Sequence, residues 1–105
     1  MRAGLQLAFP ALLVAALLPA GAAAETHTVR IEGMRFQPAT LTVRKGDRIV
    51  WRNQDMVPHS ATAAGAFDTG TIRPGGSATR KLDKAGHFAY LCTLHPAMKG
   101  EVVVQ

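Results

Sequence analysis

Leu41-Thr42-Val43-Arg44-Lys45-Gly46-Asp47-Arg48-Ile49-Val50-Trp51-Arg52 places two short runs of strand-forming residues on either side of a Lys-Gly-Asp turn. Leu41 and Val43 alternate with Thr42 and Arg44, the period of two expected of a strand with one buried face. Ile49-Val50-Trp51-Arg52 then reads as the returning strand. Upstream, Thr26 to Glu32 repeats the pattern, with Val29 and Ile31 on one side and charged residues on the other. Downstream, His59 to Ala64 is a weaker, Ala-rich strand. Gly65, Gly70 and Pro74-Gly75-Gly76 mark turns, and Ala78 to Leu82 is the next strand. After the turn Asp83 to Gly86, His87 to Cys92 sets Phe88, Tyr90 and Cys92 on one face, and Glu101 to Val104 closes the series. Apolar residues between Glu25 and Gln105 never recur at helical spacing for three turns. About seven short strands separated by turns predict an all-β fold, an antiparallel Greek-key β-sandwich. Trp51, Phe36, Phe67, Phe88 and Tyr90 are its expected core; His27 and His87 are expected on the solvent faces of their strands, and Met34 and Met56 are expected to be packing residues.

The remainder of the chain is of a different kind. The sequence has 105 residues, 48% of them hydrophobic, with 12 Lys+Arg against 7 Asp+Glu. After Arg2 no charge appears until Glu25, and the intervening stretch is mostly Leu and Ala, ending in Pro19-Ala20-Gly21-Ala22-Ala23-Ala24. A positive start, an apolar middle and small residues before a cut are the pattern of a secretory signal. Residues 1–24 are therefore expected to be a cleaved signal peptide, and residues 25–105 one exported domain in the periplasm. A retained anchor is the competing reading. Pro10 and Pro19 interrupt the stretch, and no Lys/Arg cluster follows to stop transfer, so no stable membrane insertion is expected after cleavage. A domain this short is marginally stable without a staple. The single cysteine, Cys92, cannot supply an internal disulfide.

Cys92 belongs to Leu91-Cys92-Thr93-Leu94-His95-Pro96-Ala97-Met98, where a thiol, an imidazole and a thioether follow at intervals of three. A strand end and a tight loop can turn all three toward one point. One thiolate with imidazoles and a weak thioether matches the ligand preference of copper electron-transfer sites. The set needs a second imidazole, and His59, after Val57-Pro58 at a strand start, is the candidate. Taken singly, Cys92 would be a small buried hydrophobe, His59 a turn residue and Met98 a gap-filling thioether. The spacing to His95 and Met98 raises Cys92, and only that second motif raises His59.

The residues resemble a known family, the cupredoxins or small blue copper proteins, and among them the amicyanin and plastocyanin group. Met34-Arg35-Phe36-Gln37-Pro38 with Leu41-Thr42-Val43 and Gly46-Asp47 is similar to the family's opening, and Trp51-Arg52-Asn53 leading to Val57-Pro58-His59-Ser60 to its first-histidine segment. Gly86 to Pro96 resembles its second, and Cys-x-x-His-x-x-Met is the short loop of amicyanins. The resemblance implies one copper ion per chain, held in the plane by His59, Cys92 and His95, with Met98 as the weak axial ligand. It further implies that His95 presents its edge through an apolar patch of Pro58, Pro96 and Ala97, and that the Ser60 N–H bonds the Cys92 sulfur. Leu94, Ala97 and Ser60 depart from the family's usual residues without touching the ligands.

The expected function is a periplasmic electron carrier without substrate turnover, a monomer exchanging single electrons with a c-type cytochrome or a periplasmic dehydrogenase. The runner-up is a periplasmic copper carrier or resistance protein. A multicopper enzyme is disfavoured because Leu91 and Thr93, not histidines, flank Cys92. A Cys/His hydrolase would need a cleft that the short domain leaves little room for. A basic domain that binds acidic surfaces rests on charge alone, and no nucleic-acid partner is expected from scattered basic residues.

Overall fold

The computed structural model describes residues 23–105. All but the last two residues of the expected signal peptide lie outside the described part. Nine strands follow in order: β1 (Thr26–Ile31), β2 (Phe36–Gln37), β3 (Thr40–Val43), β4 (Arg48–Asn53), β5 (Thr62–Ala63), β6 (Phe67–Asp68), β7 (Ser77–Lys81), β8 (Gly86–Leu91) and β9 (Lys99–Val104). They form two sheets, β2-β1-β4-β7 and β3-β9-β8-β5-β6. The described residues contain no helix. The all-β sandwich expected from the alternating pattern is therefore present, with β2, β5 and β6 as two-residue pieces that no periodicity could have shown.

The sheets are mixed rather than purely antiparallel. β1 runs parallel to β4, and β3 parallel to β9. The cause lies in the opening motif. Leu41 to Arg52 looks like a hairpin, but β3 and β4 do not pair; each joins a different sheet. Gly46, at φ 93°, supplies a left-handed turn that a side chain would oppose, and the turn carries the chain from one layer to the other. Asp47 fixes that crossing. Its Oδ1 accepts the Glu25 N–H at 2.9 Å, and its Oδ2 accepts the Arg44 N–H at 2.9 Å and lies 2.9 Å from His27 Nε2. One buried carboxylate thus ties the start of β1 to the β3–β4 turn. His27 consequently does not face solvent as expected. It shares the parity of Val29 and Ile31, and its half-buried ring is drawn to Asp47 at the rim of the core. His87 is exposed, as its alternation requires.

The N–H groups of Glu25 and Arg44, with the His27 ring, hold the Asp47 carboxyl well down, at about 2 against an ordinary 3.8. The unfolded chain takes up this proton at the higher value. The stability the group contributes is therefore complete above about pH 4, drains as pH falls, and is gone below about 2. Acid titration of stability should show a slope across this window that Asp47→Asn flattens.

Between the sheets lies an aromatic core. Trp51 from β4 meets Tyr90 from β8 edge to face, with centroids 5.7 Å apart, and donates its Nε1–H to Tyr90 Oη at 3.3 Å. Phe67 lies 5.3 Å from Trp51 and Phe36 4.7 Å from Tyr90. Phe88 is only half-buried and packs against this cluster from its margin. Met34 and Met56 are exposed, Met56 almost wholly. Gly100 of β9 lies under the Tyr90 ring, where a Cβ would stand 2.6 Å from Tyr90 Oη. Gly100→Ala should cost about 1–3 kcal/mol through displacement of a ring that has no room to move, measured by denaturant unfolding.

Candidate metal centre

The ends of β4 and β8 and the start of β9 converge on one pole of the sandwich. β4 ends at Asn53, a buried amide that braces the loop beyond it. Its Nδ2 donates to Val57 O at 2.8 Å and Ile72 O at 3.0 Å, while its Oδ1 accepts the Asp55 N–H at 3.0 Å. His59 follows, paired with Ile72 through two backbone bonds instead of lying in a full strand. The expected strand from His59 shrinks accordingly to Thr62–Ala63. From the other sheet β8 delivers Cys92 just past its last residue. The loop from Cys92 is closed by the Cys92 N–H to Met98 O bond, 3.1 Å, and the Met98 N–H to His95 O bond, 2.9 Å. Two residues between each ligand type and the next are what this tight closure needs.

His59 and Cys92 are fully buried, His95 is half-buried, and their ligand atoms lie within 4.8 Å of one another. Cys92 Sγ is 3.7 Å from His59 Nδ1 and 3.9 Å from His95 Nδ1. On zinc distances, about 2.3 Å to a thiolate and about 2.0 Å to an imidazole, a sulfur and a nitrogen sharing one ion lie at most about 4.3 Å apart. Both separations pass that test, and the set of one soft sulfur and two imidazoles fits copper. Met98 differs in kind. Its backbone closes the loop, and its side chain is buried.

The surroundings fix each donor. The Ser60 N–H points at Cys92 Sγ at 3.3 Å, as the resemblance implied. Ser60 Oγ accepts the Thr93 N–H at 2.9 Å and lies 3.0 Å from Thr93 Oγ1, which locks the His59 segment to the Cys92 loop. Asp55, four residues before His59, was not singled out in the sequence. Its Oδ2 lies 2.8 Å from His59 Nε2, and its two oxygens accept the N–H groups of Gly33 and Met34 at 2.8 and 3.0 Å. Burial pushes the Asp55 carboxyl up, but the Met34 N–H, the His59 ring and the Gly33 N–H outweigh it and hold it below the ordinary value. An ionised Asp55 only accepts, so His59 carries its proton on Nε2 and leaves the Nδ1 lone pair toward Cys92. A carboxylate a few residues before a candidate histidine ligand was the available signal. Asp55→Ala should weaken copper binding by about 10–100-fold with the ligands intact, read by competition with a chelator.

Around the half-buried His95 the surface is apolar. Pro58, Pro96 and Ala97 are exposed as the resemblance implied, and Leu94 in the same loop as His95 is exposed as well.

Comparison with known proteins agrees with this geometry. A family model described as a cupredoxin-like domain matches residues 6–104. The chain is 37% identical to the chloroplastic plastocyanin of Tetradesmus obliquus over 67% of its own length and 58% of that protein's. It is 32% identical to amicyanin-alpha of Methylorubrum extorquens over 94% of its own length and 98% of that protein's. Thus it spans under two thirds of the first relative and nearly all of the second. A solved oxidised amicyanin mutant superposes with a TM-score of 0.72 at 29% identity, covering 76% of this chain and 82% of that one. The Cu(I) form of another amicyanin mutant gives 0.72 over 87% and 89%.

Proposed function

The chain belongs to the cupredoxin-like family, and from that premise we propose that it is a periplasmic one-electron carrier in which His59, Cys92, His95 and Met98 hold a single copper ion. The observation that carries this reading is the buried Cys92 sulfur flanked by two imidazole nitrogens at 3.7 and 3.9 Å. Copper bound there supplies a couple of two oxidation states, Cu(I) and Cu(II), differing by one electron. The protein's part is to keep its donors still. Asp55 fixes the His59 ring, the Ser60 N–H fixes the sulfur, and the Ser60–Thr93 bonds prevent the two ligand segments from separating. Donors that do not rearrange leave little to reorganise when an electron passes. The Ser60 N–H also withdraws charge from the sulfur and so tunes the potential.

His95 is the way out. It alone of the three close donors reaches the surface, within a patch of Pro58, Pro96, Ala97 and Leu94 that a partner can cover without desolvating charge. The proposed partners are redox proteins, a c-type cytochrome or a periplasmic dehydrogenase, met by a monomer released from its leader by cleavage after Ala24. Burial of His59 and Cys92 supports retention of the metal over its delivery to an acceptor.

The test is the protein loaded with one equivalent of copper. An intense visible band, bleached by one electron per chain and restored by an oxidised c-type cytochrome in a stopped-flow mixing experiment, is the expected result. A colourless Cu(II) complex, or copper lost to an apo acceptor faster than electrons are exchanged, would sink it.

A further inference from the structure

At the pole opposite the copper loops, a second set of metal-ligating side chains comes together. Glu25, His27 and Asp47 place one ligand atom each within 4.8 Å of the others. The set lies where β1 and β4 start, with Thr26 beside Arg48 in the register, at the far end of β4 from Asn53. Residues from two distant parts of the sequence therefore meet here only because β1 and β4 run parallel.

The cluster has a fixed and a movable part. Asp47 is buried, and its carboxylate is aimed by the Glu25 and Arg44 N–H groups. Those same bonds keep it ionised down to about pH 2. Among the described ion pairs no Lys or Arg side chain neutralises it, and its only partner able to carry charge is the half-buried His27, 2.9 Å away. Glu25 adds a second carboxylate from the exposed side and has no ion-pair partner among the described residues.

We propose that Glu25, His27 and Asp47 form a second metal site, for a borderline divalent cation of the zinc type, which takes the place of the hydrogen shared by His27 Nε2 and Asp47 Oδ2. Two donors each about 2.0–2.2 Å from one tetrahedral zinc ion lie about 3.3–3.6 Å apart, and these two, at 2.9 Å, need to part by only about half an ångström. The displaced proton moves to Nδ1 of a neutral ring or, from a charged ring, to solvent. An imidazole beside two carboxylates favours zinc, nickel or Cu(II) over calcium and magnesium, which take oxygen ligands alone. Bound there, the cation clamps the beginning of β1 to the β3–β4 turn, a staple for a small domain that has no disulfide.

The test uses the chain that begins at Glu25, with its copper site filled by Cu(I), titrated with zinc chloride and followed by NMR of the histidine rings, calorimetry and thermal melting. One equivalent should bind, with the His27 ring signals shifting while those of His59, His95 and His87 hold. The melting temperature should rise with free zinc, as binding to the folded state alone requires. His27→Gln and Glu25→Gln should each weaken binding at least about tenfold while their circular dichroism stays that of the parent. Lack of a saturable His27 shift, a shift centred on His87, or undiminished binding by His27→Gln would overturn the assignment. So would binding that survives Asp47→Asn but vanishes when Ala24 precedes Glu25, because such a site belongs to a free amino terminus with His27 third in line. Where Asp47→Asn does not fold, the His27 and Glu25 variants decide the matter alone.

Discussion

Cys92→Ser is expected to erase the visible band of the copper-loaded protein and to lower its copper affinity by several orders of magnitude, with little change in the stability of the metal-free fold. A serine hydroxyl stays protonated where the thiol ionises, and oxygen is a hard donor where Cu(I) asks for a soft one. The sulfur is also the only donor that faces both imidazole nitrogens. His59 and His95 are left as a pair whose centroids stand 5.1 Å apart, without a third strong donor between them. The fold loses less, because the Ser60 N–H that points at sulfur retains an acceptor of similar size. The expected cost there is about 1 kcal/mol. Absorption and chelator competition on the loaded variant, with denaturant unfolding of the metal-free one, separate the two effects. A band that persists in the serine variant would show that the colour does not come from this thiolate.

Trp51→Ala should be the most damaging single change to the fold. Trp51 is fully buried and reaches across the sandwich to Tyr90 and Phe67. Truncating such a residue costs about 3–5 kcal/mol, which for a domain of this size corresponds to a fall of at least about 12 °C in melting temperature. A small domain has about 5–15 kcal/mol in total, so the variant should be close to unfolding at body temperature. The loss has a polar component as well. Burial pushes the Tyr90 phenol up to about 12, so its hydroxyl stays neutral, and without the indole N–H it loses its buried donor. Trp51→Phe isolates that component and should cost far less. A melting temperature for Trp51→Ala within a few degrees of the parent would refute the view that this ring holds the sheets together.

The layers of the fold were legible because Val29, Ile31 and Val43 alternate with polar neighbours, and alternation reports which face is buried. It does not report which strand lies alongside. For that reason Leu41 to Arg52 reads as a hairpin when it is a crossover, and the parallel pairs were invisible. At the candidate metal centre, the meeting of Cys92 and His95 was legible because one loop holds both at a spacing of three. His59 was marked by the need of that loop for a second imidazole and by its place at a strand start, and Asp55 lay in a loop with only its distance from His59 to mark it. Asp47 was read as a turn residue, which it is, but its hold on Glu25 and His27 depends on a pairing that no local pattern encodes. His27 was assigned to solvent although it shares parity with Val29 and Ile31. Its polarity at a strand end suggested exposure, and the Asp47 carboxylate made the inward position tolerable.

The position of β9 has a kinetic consequence. β9 lies between β3 and β8, pairing parallel to one and antiparallel to the other. Until its residues are available, β3 lacks its ladder partner and β8 has an open edge. Contacts joining Thr40 to Glu101 close a large loop of chain, and topologies dominated by such pairings fold in milliseconds to seconds, slowly for their size. The larger sheet therefore cannot be sealed until the last strand of the chain has joined it. The same β8–β9 hairpin encloses Cys92 to Met98. Folding and assembly of the ligand loop then finish in one event, when that last strand docks.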